Sequence, residues 1–301
     1  MPHFTCEERP SCVCGVVLDQ NAPSILRAHA WGEVRFVRCR NCGTWCQSPQ
    51  IVLASLAQWY DSNEYQGCSG QAGSAYLNYL QDEPHRLREA RRRYLNDLAP
   101  YLPAAGARVL EIGCATGSLL AVLRDAGCEV HGLDLSPRFA DTARSLYGLD
   151  VRTGALLSVC LPAQFFDMIL MFGTISNLGD IPASLVRLRQ ALRPSGTLVF
   201  NYPIADSSIA RLYGKRYWMF APSVNSFMTG AGCTAAVRAA RLSPTRYRID
   251  RQMPSFSKIL NHARAGLLLP VFDKLGLGNQ SLPFAIPVPG IRIVWARVED
   301  A

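Results

Sequence analysis

The chain has 301 residues, 49% of them hydrophobic and 18% charged, with a formal net charge of +8, which suits one large globular domain or two modest ones with a sizeable core. A bilayer-crossing helix needs roughly 18 consecutive apolar residues, and the best candidate, residues 265–272, is short and broken by Pro270. The polar, acidic start MPHFTCEERP lacks the basic and apolar runs of a signal peptide, so no membrane contact and a cytoplasmic location are expected.

Residues 1–58 hold six of the eleven cysteines and read as short strands and turns, with alternation over Val34–Arg38 predicting one strand. An odd count of cysteines in a cytoplasmic chain argues against a disulfide framework, and Cys128 and Cys160 sit in apolar sequence where reduced thiols pack. Cys39-Arg-Asn-Cys42-Gly43 has the spacing of a zinc knuckle, two thiolates reaching one metal with a glycine turn after them. Cys12-Val-Cys14-Gly15 is its partner, and 24 residues separate the two halves. Cys12, Cys14, Cys39 and Cys42 are therefore the expected ligands of a structural Zn2+, with Cys6, His29 and Cys46 in reserve. Four thiolates leave no open coordination position for chemistry.

Residues 59–104 read as a helical linker or cap, rich in tyrosine and then carrying Asp82-Glu-Pro-His, where Asp82 is expected to cap a helix with Pro84 in its first turn. Arg86, Arg88, Arg91, Arg92 and Arg93 crowd this helix. Their spacing sends them in several directions, as on a solvated face, and no aromatic residues interleave for base stacking. A small-molecule partner and no nucleic acid are expected.

Over residues 105–205 strand and helix signals alternate: strands at Val109–Ile112, Glu129–Leu133, Asp167–Met171 and Thr197–Phe200, helices at Ser118–Ala126, Pro137–Tyr147 and Ile181–Leu192. Such alternation predicts an α/β fold, a Rossmann-like doubly wound parallel sheet with helices on both faces. Residues 206–289 break the pattern and form an expected lid and substrate region, and Ile291–Arg297 predicts a final strand, within residues 290–301, that returns to the sheet.

The stretch Val109-Leu-Glu-Ile-Gly-Cys-Ala-Thr-Gly-Ser118 places glycines where backbone approaches a ligand and a helix N-terminus follows. The dinucleotide pattern G-x-G-x-x-G fails here, because Ala115 holds the middle position and Ser118 the last. Glu111 at the strand end would repel a phosphate and suits a cationic ligand, which points to S-adenosyl-L-methionine. Asp134 closes the next strand about 20 residues on, where a carboxylate accepts ribose hydroxyls. The alternative role for Asp134 is a helix cap before Ser136-Pro137.

At these residues the chain resembles the class I S-adenosylmethionine-dependent methyltransferases that carry a cysteine-rich N-terminal ribbon. The resemblance runs through CVCG, CRNCG, WYDSNEY, LEIGCATGSLL, VHGLDLSP, FDMILMFGTISNLGD, LRPSGTLVFNYP and ARLYGKRYWMFAP. It implies that Glu111, Gly113, Cys114, Ala115 and Gly117 hold the methionine part of the cofactor and Asp134 the ribose. It implies that Leu135 and Leu156 line the adenine, with Ala155 where an acidic residue commonly meets the adenine amine, and Phe172 beside them. The family's two histidines, one after the fourth strand and one further on, correspond to Asn177 and Asn225.

Asparagine orients a substrate but accepts no proton at neutral pH, which favours a nucleophile needing little help. Asn177, Asn225, Tyr65 and Tyr76 are the expected residues around the reaction, with Asp180 and Asp206 as further candidates for the proton and Asp180 also placed to cap a helix. In Gly214-Lys-Arg-Tyr-Trp-Met-Phe220, Arg216, Tyr217, Trp218 and Phe220 either enclose a flat, anionic substrate or pack the lid to the sheet. The expected activity is methyl transfer to a small molecule of specialised metabolism by a monomer or homodimer. The other readings are a tRNA or rRNA methyltransferase and a cofactor-binding protein with lost or altered catalysis.

Overall fold

The computed structural model describes residues 3–29, 32–66, 82–102, 106–217, 219–253, 271, 280, 282 and 284–299. The N-terminal part contains β1 (Cys6–Glu7), β2 (Ser24–His29), β3 (Gly32–Arg38), β4 (Trp45–Gln47) and β5 (Gln50–Ile51), followed by α1 (Leu53–Asp61), α2 (Asn63–Gln66) and α3 (Glu83–Arg93). The core then alternates: β6 (Arg108–Ile112), α4 (Ser118–Asp125), β7 (Glu129–Asp134), α5 (Pro137–Tyr147), β8 (Val151–Thr153), β9 (Phe166–Met171), α6 (Ile181–Ala191) and β10 (Leu192–Pro203). After it come α7 (Ser208–Tyr213), β11 (Ser226–Phe227), α8 (Gly230–Ala239), β12 (Leu242–Gln252) and β13 (Ile286–Val298).

Seven strands form one sheet in the order β12-β13-β10-β9-β6-β7-β8. β6 to β10 run parallel, and β13 is antiparallel to both its neighbours. This is the expected Rossmann-like doubly wound sheet. Its central strands are apolar on both sides: Val109, Met168, Leu170 and Val199 pack with Ile293 and Trp295 on one face, while Leu110, Ile169, Met171, Leu198 and Phe200 pack with α6 and α8 residues on the other. Burial on both faces is what a parallel sheet between helix layers requires.

β12 carries no alternating apolar signal. It is an edge strand whose outer positions are exposed, so Arg246, Arg248 and Arg251 are tolerated there and Pro244 sits at a register shift. The returning strand begins at Ile286, ahead of the expected residue 290. β10 begins at Leu192, ahead of the expected Thr197, with a register shift between Leu192 and Thr197.

Several local expectations are corrected. Asp82 makes no capping hydrogen bond to α3 and is buried instead. Cys160 is exposed and does not pack, unlike Cys128, which lies against the apolar cluster of β6 and β9. Arg86, Arg92 and Arg93 are not a solvated face: their side chains are only 10–11% exposed, because each is paired with an acid inside the fold.

The second sheet has the order β11-β4-β3-β2. One of its strands, β11, comes from residues 226–227, so the cysteine module shares its sheet with the segment that follows α7. That join sets the module beside the ends of β7 and β9, with Leu135 packed on its apolar cluster and Asn225 N donating to Ser176 O.

Candidate functional site

The site forms where β6, β7 and β9 end. Gly113 has φ +73, and a Cβ there would stand 2.4 Å from Thr174 Oγ1, so only glycine lets the loop pass this close to the chain after β9. Ala115 also has positive φ, +48, a conformation disfavoured for a residue with a Cβ and typical of strained functional loops. Its backbone N–H donates to Asp134 Oδ2 at 2.8 Å. Asp134 Oδ1 accepts from Ser136 N at 2.9 Å, while the cap of α5 is Ser136, whose hydroxyl accepts from Phe139 N. Asp134 therefore organises the glycine loop, and each oxygen keeps acceptor capacity for a ligand hydroxyl. Burial pushes its pKa up, against the backbone N–H groups that lower it.

Glu111 is buried beside it, and its Oε2 has no hydrogen-bond partner. Burial pushes its pKa to about 8, against the pull of the Arg86 and Arg93 guanidiniums. An orphaned acidic oxygen beside a glycine cradle is what a cationic or amine-bearing ligand completes. The neutral form favours folding fully at the ordinary carboxylate pKa and below, and this contribution is lost as pH rises towards 8. Glu111→Gln is therefore expected to flatten the decline in melting temperature of cofactor-free protein between pH 5 and 8 and to raise stability at pH 8, as scanning calorimetry would read. A variant whose pH profile parallels the parent would remove Glu111 as the source.

α3 closes this end of the site. Glu83 accepts from Thr116 Oγ1 (2.6 Å), Ser118 Oγ (2.7 Å) and Tyr147 Oη (2.6 Å), and Arg86 donates to Thr116 Oγ1 at 3.1 Å. Asp61 of α1 accepts from Ser136 Oγ at 2.6 Å. Glu83 and Asp61 were not singled out from sequence, and Arg86 was read there only as part of a solvated face. The i,i+3 spacing of Glu83 with Arg86 and of Glu89 with Arg92 was the available signal that this helix pairs its charges internally.

A second buried network flanks β9. Arg93 lies 4.0 Å over the Phe172 ring and pairs with Asp250 at 3.3 Å. Asp250 also accepts from Asn201 Nδ2 at 2.9 Å, and Asn201 Oδ1 accepts from Gly173 N at 2.6 Å. Burial raises the pKa of Asp250, but Arg93 and the amide donors outweigh it and hold the carboxyl below its usual range. Phe172 thus has one ring face taken by a cation.

Asn177 and Asn225, far apart in sequence, come together: Asn225 Nδ2 donates to Asn177 O at 2.9 Å, and Asn225 N to Ser176 O at 2.8 Å. Asn225 is fully buried and its Oδ1 has no partner, whereas Asn177 is half-buried and donates to Gly173 O. Asp180 caps α6 through Ala183 N, and Asp206 accepts from the first amide of α8. Both are thus engaged at helix ends. Tyr65 packs edge-on against Trp59 and Tyr60. Leu156 is buried and Ala155 half-buried in the turn after β8, where Gly154 N bonds Asp134 O.

Tyr217 stacks on Phe227, and Phe220 meets Phe36, Trp45 and Phe227 edge to face. Both are buried in the apolar cluster that joins this segment to the small sheet, with Leu135 packed against it. Arg216 is exposed. Tyr76, Trp218 and residues 254–270, within the expected lid and substrate region, lie outside the described residues.

The Sγ atoms of Cys12, Cys14, Cys39 and Cys42 lie within 4.8 Å of one another, a thiolate donor set that fits one tetrahedral ion. Cys46 is 3.6 Å from Cys12 Sγ, while Cys6 is exposed on β1 and His29 packs edge-on against Trp59.

A family model described as a methyltransferase domain matches residues 82–241. The chain belongs to this methyltransferase-domain family. It is 30% identical over 155 residues to a malonyl-[acyl-carrier protein] O-methyltransferase of Enterobacter lignolyticus, covering 51% of this chain and 62% of that protein. It is 26% identical over 151 residues to a ubiquinone biosynthesis O-methyltransferase of Cereibacter sphaeroides, covering 48% and 59%. The chain therefore matches about three-fifths of the length of these relatives. The fold is shared with an S-adenosylmethionine-dependent methyltransferase of Thermotoga maritima at 17% identity and TM-score 0.50, covering 73% of this chain and 93% of that one. Among the described residues no helix is long and apolar enough to cross a membrane.

Proposed function

We propose that this protein is an S-adenosylmethionine-dependent methyltransferase that methylates an oxygen already ionised at neutral pH, a carboxylate or acidic phenol, on a small molecule. The observation that carries the cofactor is the convergence of Asp134, the orphaned Glu111 oxygen and the Gly113 cradle at adjoining strand ends. Asp134 would take the ribose hydroxyls, Glu111 the amine of the methionine part, and Leu135 and Leu156 the adenine faces. Bound there, the cofactor supplies an electrophilic methyl group on a sulfonium.

The acceptor class follows from the opposite side of the site. Asn177 and Asn225 accept no proton, and Asp180 and Asp206 are engaged at helix ends, so positioning carries the reaction and the nucleophile arrives without its proton. Oxygen as the acceptor atom is supported by the names of the relatives. A nucleic-acid substrate is disfavoured because Arg86, Arg92 and Arg93 are consumed by Glu83, Glu89, Asp97 and Asp250. The four cysteines would hold zinc, which ties the module together.

The test is release of S-adenosylhomocysteine with aromatic and short-chain carboxylic acids, acidic phenols, aliphatic alcohols and tRNA. Acids and acidic phenols are expected to exceed alcohols at least tenfold in kcat/KM. Equal turnover of alcohols would overturn the ionised-acceptor reading, turnover of tRNA alone the small-molecule reading, and failure to bind cofactor the whole assignment.

A further inference from the structure

Arg9 is 96% removed from solvent by its 4% exposure, yet every acceptor it uses is neutral. Its Nη1 donates to Asn225 O at 2.7 Å, Nη2 to Ser226 Oγ at 2.9 Å and Nε to Ser11 O at 3.1 Å. Among the described residues no carboxylate lies within ion-pair distance of it. A buried guanidinium satisfied only by neutral groups is costly unless an anion stands nearby.

The proposed zinc site would supply one. Ser11 adjoins Cys12, Ser226 pairs in register with Cys46, and Gln47 N shares the Asn225 carbonyl with Arg9 at 2.9 Å. Four thiolates around a divalent ion carry a net charge of two minus, and groups just outside a metal's ligands commonly tune such charge. From Arg9 the path continues through Asn225 Nδ2 to Asn177 O and through Asn225 N to Ser176 O.

We infer that Arg9 is the counter-cation of the cysteine centre and a positioning residue that ties its occupancy to the placement of Asn225 and Asn177. The inference rests on the zinc reading proposed above. It makes the metal module more than a clip for the N-terminal strands, because metal binding and the order of residues 225–226 become reciprocally coupled.

The test uses the full chain, stripped of metal under reducing conditions and titrated with Zn2+ or Co2+ against a chromophoric chelator. The parent is expected to bind one equivalent, with thiolate-to-cobalt charge-transfer bands. Arg9→Met is expected to weaken zinc at least tenfold, and Arg9→Lys to recover most of that loss. Amide exchange at residues 225–226 is expected to rise on stripping the parent and to be already high in metal-loaded Arg9→Met, with S-adenosylhomocysteine binding retained as the check of folding. Should Arg9→Met fail that check, Arg9→Gln, which keeps donors without charge, carries the same tenfold expectation. Zinc affinity within twofold of the parent in the folded uncharged variant overturns the role of Arg9 and leaves the metal reading standing. A parent that binds neither metal overturns both.

Discussion

Replacing Asp250 by alanine is expected to lower the stability of the fold by about 3–5 kcal/mol, the usual cost of breaking a buried ion pair from one side. For a chain of this size that is a fall in melting temperature on the order of 10 °C. Asp250 is fully buried and is the shared acceptor of Arg93, Asn201 Nδ2 and Gln252 Nε2. Without it Arg93 keeps its contact to Asp97 at 3.5 Å, but Asn201 loses the partner that aims its carbonyl at Gly173. Binding of S-adenosylhomocysteine should therefore weaken along with stability, since Gly173 follows Phe172 at the end of β9. The pH dependence gives an independent check. A carboxyl held below its usual range contributes stability above the ordinary carboxylate pKa and loses it as pH falls through its own lowered value, so the variant should lose part of the parent's acid-side decline. Chemical denaturation showing a loss below 1 kcal/mol would mean that Arg93 is served well enough by Asp97 alone.

Asp134→Ala is expected to weaken S-adenosylhomocysteine by one to two orders of magnitude in calorimetric titration. In the proposed reading the carboxylate has two duties, taking Ala115 N and Ser136 N at 2.8 and 2.9 Å and offering its remaining lone pairs to the ribose. Removing it leaves the buried Ser136 N–H unpaired, at about 1–3 kcal/mol, and the part-buried Ala115 N–H with it, so the apo fold should also melt lower. Asp134→Asn separates the two duties, since its amide oxygen keeps one of the acceptors. If Asp134→Ala binds with unchanged affinity, the residue is a loop organiser only, and the ribose has another partner.

The sheet and its glycine loop were legible because periodicity and turn chemistry are local. Val109–Ile112, Pro137–Tyr147 and Ile181–Leu192 each carry their burial pattern in adjacent residues, and the structure keeps these elements within a residue or two. The knuckle cysteines were legible for the same reason, since thiol spacing within each half fixes what one ion can reach, and their four sulfurs converge. β12 was not legible, because an edge strand needs no apolar alternation. Arg93 of α3 misled because one of its acids lies elsewhere in the chain, Asp250 standing 157 residues away, whereas the acids of Arg86 and Arg92 lie three residues before them in the same helix.

By itself, then, the sequence determined the doubly wound core, the loop from Glu111 to Gly117 and the acid at Asp134, all set by local backbone and side-chain chemistry. Only the tertiary structure decided which groups the site shares. It brought Asn177 and Asn225 into one hydrogen-bonded unit, turned Tyr217 and Phe220 into packing against the small sheet, and buried Arg9 beside the cysteines. Each of these depends on contacts between segments far apart along the chain, where burial decides whether a charge or ring meets water, a ligand or another residue.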